Sequence, residues 1–211
     1  MDTQVPNFRD ERRARIIDTA REVFYEVGYA GASMSMISGR LGGSKATLYA
    51  YFSSKEELFG AIIRDQCAVM ANFFQAHIGT DDLRQSLTIV SRQLMSVVLS
   101  DWGARTMQLI IEESHRNPGL AALFSEAIEE NGRATLKALL RTAHDKRQIE
   151  APDIDEAAVI LKSLLFGDIH FKRLLNLARP TEEQMYRHID RAIDVFMTYY
   201  GLDGARLGPR S

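Results

Sequence analysis

Residues 44–58 have the sequence SKATLYAYFSSKEEL, and this stretch decides how the N-terminal part of the chain folds. Ser44 is a favourable N-cap, because its hydroxyl can accept a hydrogen bond from a backbone N–H of the following turn. A short helix is therefore predicted from Lys45 to about Tyr51. Gly42 and Gly43 precede it and permit the sharp turn that separates the two helices of a helix-turn-helix.

The next helix begins within the same stretch. Ser54 and Glu57 have the spacing of a capping box, in which the serine hydroxyl and the glutamate carboxylate each accept a hydrogen bond from a backbone N–H at the helix start. Ser53 is the alternative cap, one residue earlier. A long helix is predicted to run from this point to about His77, and it would connect the N-terminal helices to the remainder of the chain.

Two further helices are predicted upstream of the turn. Apolar side chains recur with helical spacing from Ile16 to Val27. Gly28 is expected to end that helix, because glycine adopts the left-handed conformation of a helix C-terminus at little cost. Ser33 can cap a second, short helix that ends at Gly42.

The short helix after Ser44 would present one face to solvent. Leu48 and Phe52 are expected to pack against the first helix. The outward face then carries basic, small and hydroxyl-bearing side chains: Lys45, Ala46, Thr47, Tyr49 and Tyr51. Such a face fits the major groove of DNA, where a threonine can contact a base edge through its hydroxyl or methyl group. The alternative is a helical hairpin with tyrosines on its surface.

The local charge is consistent with a DNA-facing surface. No acidic residue lies between Glu26 and Glu56, whereas Arg40, Lys45 and Lys55 do. An acid-free surface avoids repulsion of the phosphates. The net charge of −2 gives no such indication, and a chance gap between acidic residues is the alternative.

Residues 16–59 resemble the N-terminal domain of the TetR/AcrR transcriptional regulators. The matching features are Ala20, Phe24, Gly28-Tyr29, Ser33, Ile37 and, above all, residues 44–52 followed by 54–58. The resemblance implies that phosphates are bound by Ser33, Ser44, Tyr49, Tyr51 and Lys55, and that Lys45, Ala46 and Thr47 lie against bases. Two positions depart from the family pattern: Gly43 stands where an apolar residue is usual, and Ala46 where glycine is frequent.

Helical periodicity continues through the rest of the chain. Further helices are predicted at about 82–100, 104–116, 117–146, 153–177 and 181–200. Asn117-Pro118, Asp153 and the box formed by Thr181 and Gln184 supply their start signals. The sequence thus predicts an all-α protein of about nine helices. Residues 1–53 would form a helix-turn-helix DNA-binding domain, and residues 54–211 a larger helical domain for ligand binding and dimerisation.

The last two predicted helices, 153–177 and 181–200, carry more apolar surface than one protomer needs. The first is apolar nearly all round, and the second has a strong stripe from Met185 to Tyr200. A two-fold homodimer interface of four helices would bury the excess, as the family resemblance also implies. The alternative is that helix 153–177 is the central core helix of a monomer.

Aromatic and large apolar residues between these elements are candidates for a ligand pocket. With His170 they form the set Phe73, Phe74, Trp102, Met107, Ile110, Phe124, Phe166 and His170. Together with Glu113, His115 and Asn131 nearby in sequence, this set could hold an amphipathic small molecule. An ordinary aromatic core is the alternative, and the family resemblance favours a pocket.

Other classes of function lack their signatures. No apolar run suits a membrane span, the N-terminus does not resemble a signal peptide, and the single Cys67 cannot form an internal disulfide, so a cytoplasmic protein is expected. Cys67 is interpreted as a small buried residue, with a redox sensor as the alternative. Glu112 and His115 have the spacing of a carboxylate di-metal ligand pair, but no second copy exists. No enzyme, cofactor or metal site is expected.

The resemblance implies a transcriptional regulator that binds a palindromic double-stranded DNA operator as a homodimer. It would be a repressor that a small apolar or amphipathic effector releases from DNA. The alternative is a DNA-binding protein of the same fold whose C-terminal domain is controlled by a protein partner.

Overall fold

The computed structural model describes residues 8–75, 82–128 and 133–202, and these residues are mainly helical. The helices are α1 (Phe8–Gly31), α2 (Met34–Arg40), α3 (Lys45–Tyr49), α4 (Lys55–Gln75), α5 (Leu83–Val98), α6 (Asp101–Glu113), α7 (Pro118–Ala127), α8 (Ala134–Asp145), α9 (Ile154–Leu174) and α10 (Glu182–Tyr200). The predicted all-α fold is confirmed. None of the described helices combines the length and apolar character needed to cross a bilayer.

The described residues contain ten helices, one more than the sequence predicted. The difference lies in the segment expected to be one helix from 117 to 146, where the structure describes α7 up to Ala127 and α8 from Ala134. Residues 129–132 between them fall outside the described residues. Pro118 starts α7, as its position after Asn117 predicted.

The predicted caps are confirmed at four helix starts. The hydroxyls of Ser33 and Ser44 accept hydrogen bonds from backbone N–H groups three residues on, at 3.2 Å and 3.1 Å. Asp153 caps α9, and Thr181 forms a full capping box with Gln184 at the start of α10. These bonds satisfy N–H groups that have no partner within the helix.

The structure differs in detail from the prediction at the start of α4 and at Gly28 in α1. At α4, the Ser54 hydroxyl accepts from the Glu57 N–H at 3.1 Å, but the Glu57 carboxylate bonds the backbone N–H of Ser53 at 2.7 Å, so both serines share the cap. Gly28 has the expected positive φ of 73°, yet the chain resumes a helical turn to Gly31 beyond the kink.

The contacts divide the chain into two compact units. The first contains residues 8–66 with 109–127, and the second contains the described residues of 67–108 and 128–202. The first unit therefore includes more than the domain expected at 1–53. The start of α4 belongs to it because Leu58, Ile62 and Ile63 are buried there, and the end of α6 and all of α7 also lie within it.

The core of the second unit is formed by α5, α8, α9 and α10. Its fully buried side chains include Leu87, Met95, Leu140, Leu161 and Phe196. The predicted inner stripe of α10 is buried at Met185, Ile189, Ala192, Ile193, Phe196 and Tyr200. Gly167 has a φ of 39° and interrupts α9 with a kink.

A buried arginine joins α9 to the end of α5. Arg173 is only 3% exposed. Its Nε donates to the backbone carbonyl of Leu99 at 2.9 Å, and its Nη2 donates to Asp101 at 2.6 Å. Leu99 is the C-cap of α5, so the guanidinium satisfies a carbonyl that has no partner within the helix. Arg179 binds the same Asp101 at 3.1 Å from a side chain that is 75% exposed.

Replacing Arg173 with methionine should lower the free energy of unfolding by about 1–3 kcal/mol, because buried acceptors would lose a charged donor. Urea denaturation of the whole protein measures this loss. The matched variant Arg179→Met removes an exposed partner of the same aspartate and should cost less than about 0.5 kcal/mol. If both variants lost the same free energy of unfolding, burial would not determine how much these hydrogen bonds stabilise the protein.

Candidate nucleic-acid interface

The first unit holds α3 against its core through two side chains. Leu48 is 1% exposed and Phe52 is 3% exposed, as the sequence predicted. The helix itself has five residues, far fewer than an isolated helix needs for stability in water. Its position is therefore set by this packing and by the Ser44 cap.

The predicted DNA-contacting side chains of α3 lie toward solvent to different degrees. Lys45, Ala46 and Tyr49 are exposed, whereas Thr47 and Tyr51 are half-buried. The hydroxyls of Ser44 and Thr47 lie 3.0 Å apart and form one hydrogen bond. The Thr47 hydroxyl is thus shared with the cap, and its methyl group remains as a further contact for a base. Ser33 is exposed at the start of α2.

Lys55, expected to bind a phosphate, is also bonded within the protein. Its Nζ donates to the backbone carbonyls of Tyr29 at 2.8 Å and Ala32 at 3.2 Å. The same nitrogen lies 4.2 Å from the centroid of the Tyr29 ring, a cation–π distance. The ammonium group has three N–H donors, so one is left after these two bonds. Lys55 therefore joins the start of α4 to the end of α1.

An aromatic cluster surrounds this junction. The Tyr29 ring stacks on Phe24 with centroids 5.6 Å apart and meets Phe59 edge-on at 5.4 Å. The Tyr29 hydroxyl donates to Glu56 at 2.8 Å and also hydrogen-bonds Asn117 at the start of α7. Burial raises the pKa of Tyr29 far above its usual value, and the bond to Glu56 adds to the effect. Tyr29 therefore stays a neutral donor at any physiological pH.

The cations of the acid-free run between Glu26 and Glu56 differ in their pairing. Arg40 forms two hydrogen bonds to Glu26, at 2.7 Å and 2.6 Å, and these bonds lower the pKa of the Glu26 carboxyl. Lys55 is bonded to carbonyls. Within the described ranges, Lys45 alone of the three has neither an ion pair nor a hydrogen-bonded partner. Primary sequence could not show this, because Glu26 and Arg40 meet only through the fold.

Sequence analysis missed one basic residue beside α3. Arg12 of α1 lines a small cleft together with Gly43, Ser44 and Thr47. A Cβ atom added to Gly43 would lie 3.0 Å from the Arg12 Nη2 atom. No hydrogen bond or ion pair of Arg12 is found with any described residue, whereas the neighbouring Arg13 binds Asp65 at 3.2 Å. The departure from the family pattern at Gly43 was the signal that pointed here.

The predicted ligand residues are distributed over both units. Ile110 and Phe124 belong to the first unit, and the other six to the second. In the second unit, Phe166 and His170 pack with ring centroids 4.8 Å apart, and burial lowers the pKa of His170. Trp102 and Met107 are half-buried on α6. The side chain of Phe74 falls outside the described residues.

Phe73 lines a groove of about 540 Å³ in the second unit, between α5 and the start of α10. Phe73 is the one member of the predicted ligand set, among those whose side chains are described, that lines this groove. The groove is bordered by Phe73, Ile89, Arg92, Gln93, Ser96, Leu99, Ser100, Pro180, Thr181, Glu182, Met185 and Tyr186. The Arg92 guanidinium carbon lies 4.1 Å from the centroid of the Tyr186 ring, and its Nε is buried without a hydrogen-bond partner. The same guanidinium lies 3.9 Å from the Asp190 carboxylate, in an ion pair. The groove thus combines apolar side chains with a guanidinium that already has a carboxylate partner.

The described residues give little support for a metal site or for a reactive thiol. Glu112 and His115 are both exposed, and no group of three potential metal ligands occurs within the described part of the chain. Burial raises the pKa of the Cys67 thiol, which keeps it protonated and less nucleophilic. The geometry therefore favours the interpretation of Cys67 as a packing residue.

Comparison with known proteins identifies both parts of the chain. Residues 16–62 match the family of bacterial regulatory proteins of the tetR type, and residues 85–202 match the AefR-like transcriptional repressor C-terminal domain. The second match alone covers more than half of the chain.

Individual relatives agree with these matches. The transcriptional regulator UidR of Escherichia coli K12 is 32% identical over 175 residues, which cover 79% of this chain and 84% of UidR. The transcriptional activator FasR of Mycolicibacterium smegmatis is 36% identical over 57% of this chain and 55% of its own length. The structure of the flavonoid-responsive regulator FrrA is 30% identical, with a TM-score of 0.72 over 95% of this chain and 99% of FrrA.

The solvent-facing α3, the helical second unit and these matches lead to one conclusion: the chain is a DNA-binding transcriptional regulator and belongs to the TetR family.

Proposed function

We propose that the protein is a cytoplasmic repressor that binds a palindromic operator as a homodimer and leaves it when a small molecule binds. One observation supports the DNA contact above all. The outer face of α3 presents the unpaired Lys45 beside the small Ala46 and the exposed Tyr49, and no acidic residue lies on this helix. Such a face can approach the major groove without repelling phosphates.

The side chains around α3 divide into two roles in this proposal. Ser33, Ser44, Tyr49, Tyr51 and the remaining N–H of Lys55 bind phosphates, which position the protein without carrying sequence information. Lys45, Ala46 and Thr47 lie against base edges, where sequence is recognised. The description of the matched C-terminal family as repressors supports the sign of regulation.

Thr47→Ala should change the base preference at one position of each half-site, with a discrimination loss of about 1–3 kcal/mol. Tyr51→Phe should instead weaken binding to all sequences alike, because the lost hydroxyl contacts a phosphate. Binding to a library of single-base operator variants measures both effects. A changed base preference in Tyr51→Phe together with an unchanged one in Thr47→Ala would reverse the proposed roles.

The dimer interface in this proposal lies on α9 and α10. Val159 is 45% exposed, Val195 is 55% exposed and Tyr199 is 72% exposed, although all three are apolar or aromatic. The segment before α9 is bonded to the end of α10, where the Glu150 N–H donates to the Tyr200 carbonyl at 2.7 Å. The start of α9 and the end of α10 thus lie at the same end of the second unit, so their exposed residues can contribute to one surface.

Val195→Asp should shift the protein from dimer to monomer at micromolar concentration without unfolding it, because the side chain faces solvent in the protomer. Sedimentation velocity measures the change. Phe196→Asp is the neighbouring contrast: Phe196 is fully buried, so that variant should unfold. Ile111→Asp changes an exposed apolar residue of the first unit and should remain dimeric. A Val195→Asp protein that stays dimeric would place the interface elsewhere.

The groove beside Phe73 is the effector site in this proposal. An aromatic or amphipathic molecule could pack against its apolar side chains while a phenolic hydroxyl bonds the Arg92 guanidinium in competition with Asp190. The similarity to FrrA, which is flavonoid-responsive, supports a planar phenolic effector. The helix α4 contains both Phe73 and Lys55 and spans about 30 Å at 1.5 Å per residue. A shift of its far end would therefore reach the junction with α1.

Quercetin, a flavonoid, should bind the protein more weakly in the presence of operator DNA, and by the same factor by which it weakens DNA binding. Calorimetric titration with and without DNA measures this factor. Arg92→Met should lower quercetin affinity by about tenfold or more, since a charged hydrogen bond is worth about 1.5–3 kcal/mol. Arg84→Met, on the same helix but outside the groove, is the matched control. Equal quercetin affinity with and without DNA would favour control by a protein partner.

A further inference from the structure

We propose that Arg12 is an additional phosphate-binding residue, and that Gly43 leaves space for the Arg12 guanidinium beside α3. The proposal rests on the proposed docking of α3 against DNA. It adds a contact from α1 that the family resemblance did not assign, and it accounts for the glycine that replaces the usual apolar residue at position 43.

Arg12 is half-buried, and no hydrogen bond or ion pair connects its guanidinium to another described residue. Two other arginines of the first unit are paired: Arg13 with Asp65, and Arg40 with Glu26. An unpaired guanidinium is free to bind an external anion, and its planar fork matches the oxygens of a phosphate.

The cleft that Arg12 lines also contains Ser44 and Thr47, the residues at the start of α3. Ser44 is proposed to bind a phosphate and Thr47 a base. A cation in this cleft would therefore lie beside the DNA backbone when α3 enters the groove. Arg12 would add a further positive charge to those of Lys45 and Lys55.

A Cβ atom at position 43 would come within 3.0 Å of the Arg12 Nη2 atom. A larger side chain would push the guanidinium out of the cleft. Gly43 does not have a positive φ, so its backbone conformation does not itself demand glycine. The Arg12 guanidinium is instead the group that would have to shift, by a few tenths of an ångström, to admit a Cβ atom here.

The test uses the full-length protein and a fluorescent random-sequence DNA duplex, with affinity measured over a range of salt concentrations. Each phosphate contact contributes about 0.9 to the slope of log affinity against log salt. Arg12→Gln should lower the slope of the dimer by about 2, because each protomer loses one contact. Arg141→Gln, which removes the same charge from an exposed position in the second unit, should leave the slope unchanged.

Gly43→Leu should reduce the slope as much as Arg12→Gln does, and it should cause no further reduction in the Arg12→Gln background. Circular dichroism checks that both variants remain folded, and Arg12→Gln alone decides the outcome if Gly43→Leu does not fold. A salt slope that is unchanged in Arg12→Gln, whatever the change in affinity, would overturn the proposal while leaving the proposed function intact. Wild-type protein that fails to bind any duplex would overturn both.

Discussion

The hydrogen bonds from Lys55 to the end of α1 are the interaction on which the DNA-binding unit depends. The ammonium group binds the carbonyls of Tyr29 and Ala32, where α1 ends and its own hydrogen bonding stops. The five-residue α3 cannot hold its own position. It packs against α2, which packs against α1. The helix α1 is in turn tied to α4 by Lys55 and by the packing of Tyr29 on Phe59. A shift at the start of α4 would therefore be passed to the end of α1 through these contacts.

The same junction includes a segment far away in sequence. The end of α6 and all of α7 cluster with the N-terminal helices rather than with the second unit. Asn117 reaches the Tyr29 hydroxyl, which also binds Glu56 at the start of α4. The tyrosine thus joins three elements with one buried polar group. Such a group is costly to leave unpaired, so these elements are expected to keep a fixed arrangement within the first unit.

Local signals in the sequence predicted the helices well, because capping depends on residues only a few positions apart. Ser33, Ser44, Asp153 and Thr181 all cap the helices expected of them. The pairing of charges could not be predicted in the same way. Arg40 is neutralised by Glu26, which lies 14 positions earlier in the sequence. Arg12 is left unpaired beside Gly43, which lies 31 positions later. Helical periodicity carries no information on contacts between residues so far apart. The predicted ligand set likewise remains a prediction, since proximity in sequence does not place side chains around one cavity.

The central claim is that α3 recognises DNA as part of a two-fold symmetric dimer. Selection of binding sites from a random duplex library by the full-length protein tests this claim most directly. A symmetric dimer must select an inverted repeat, in which both half-sites carry the same base preferences. Enrichment of a single asymmetric site, or no enrichment above random duplexes at low salt, would contradict the account.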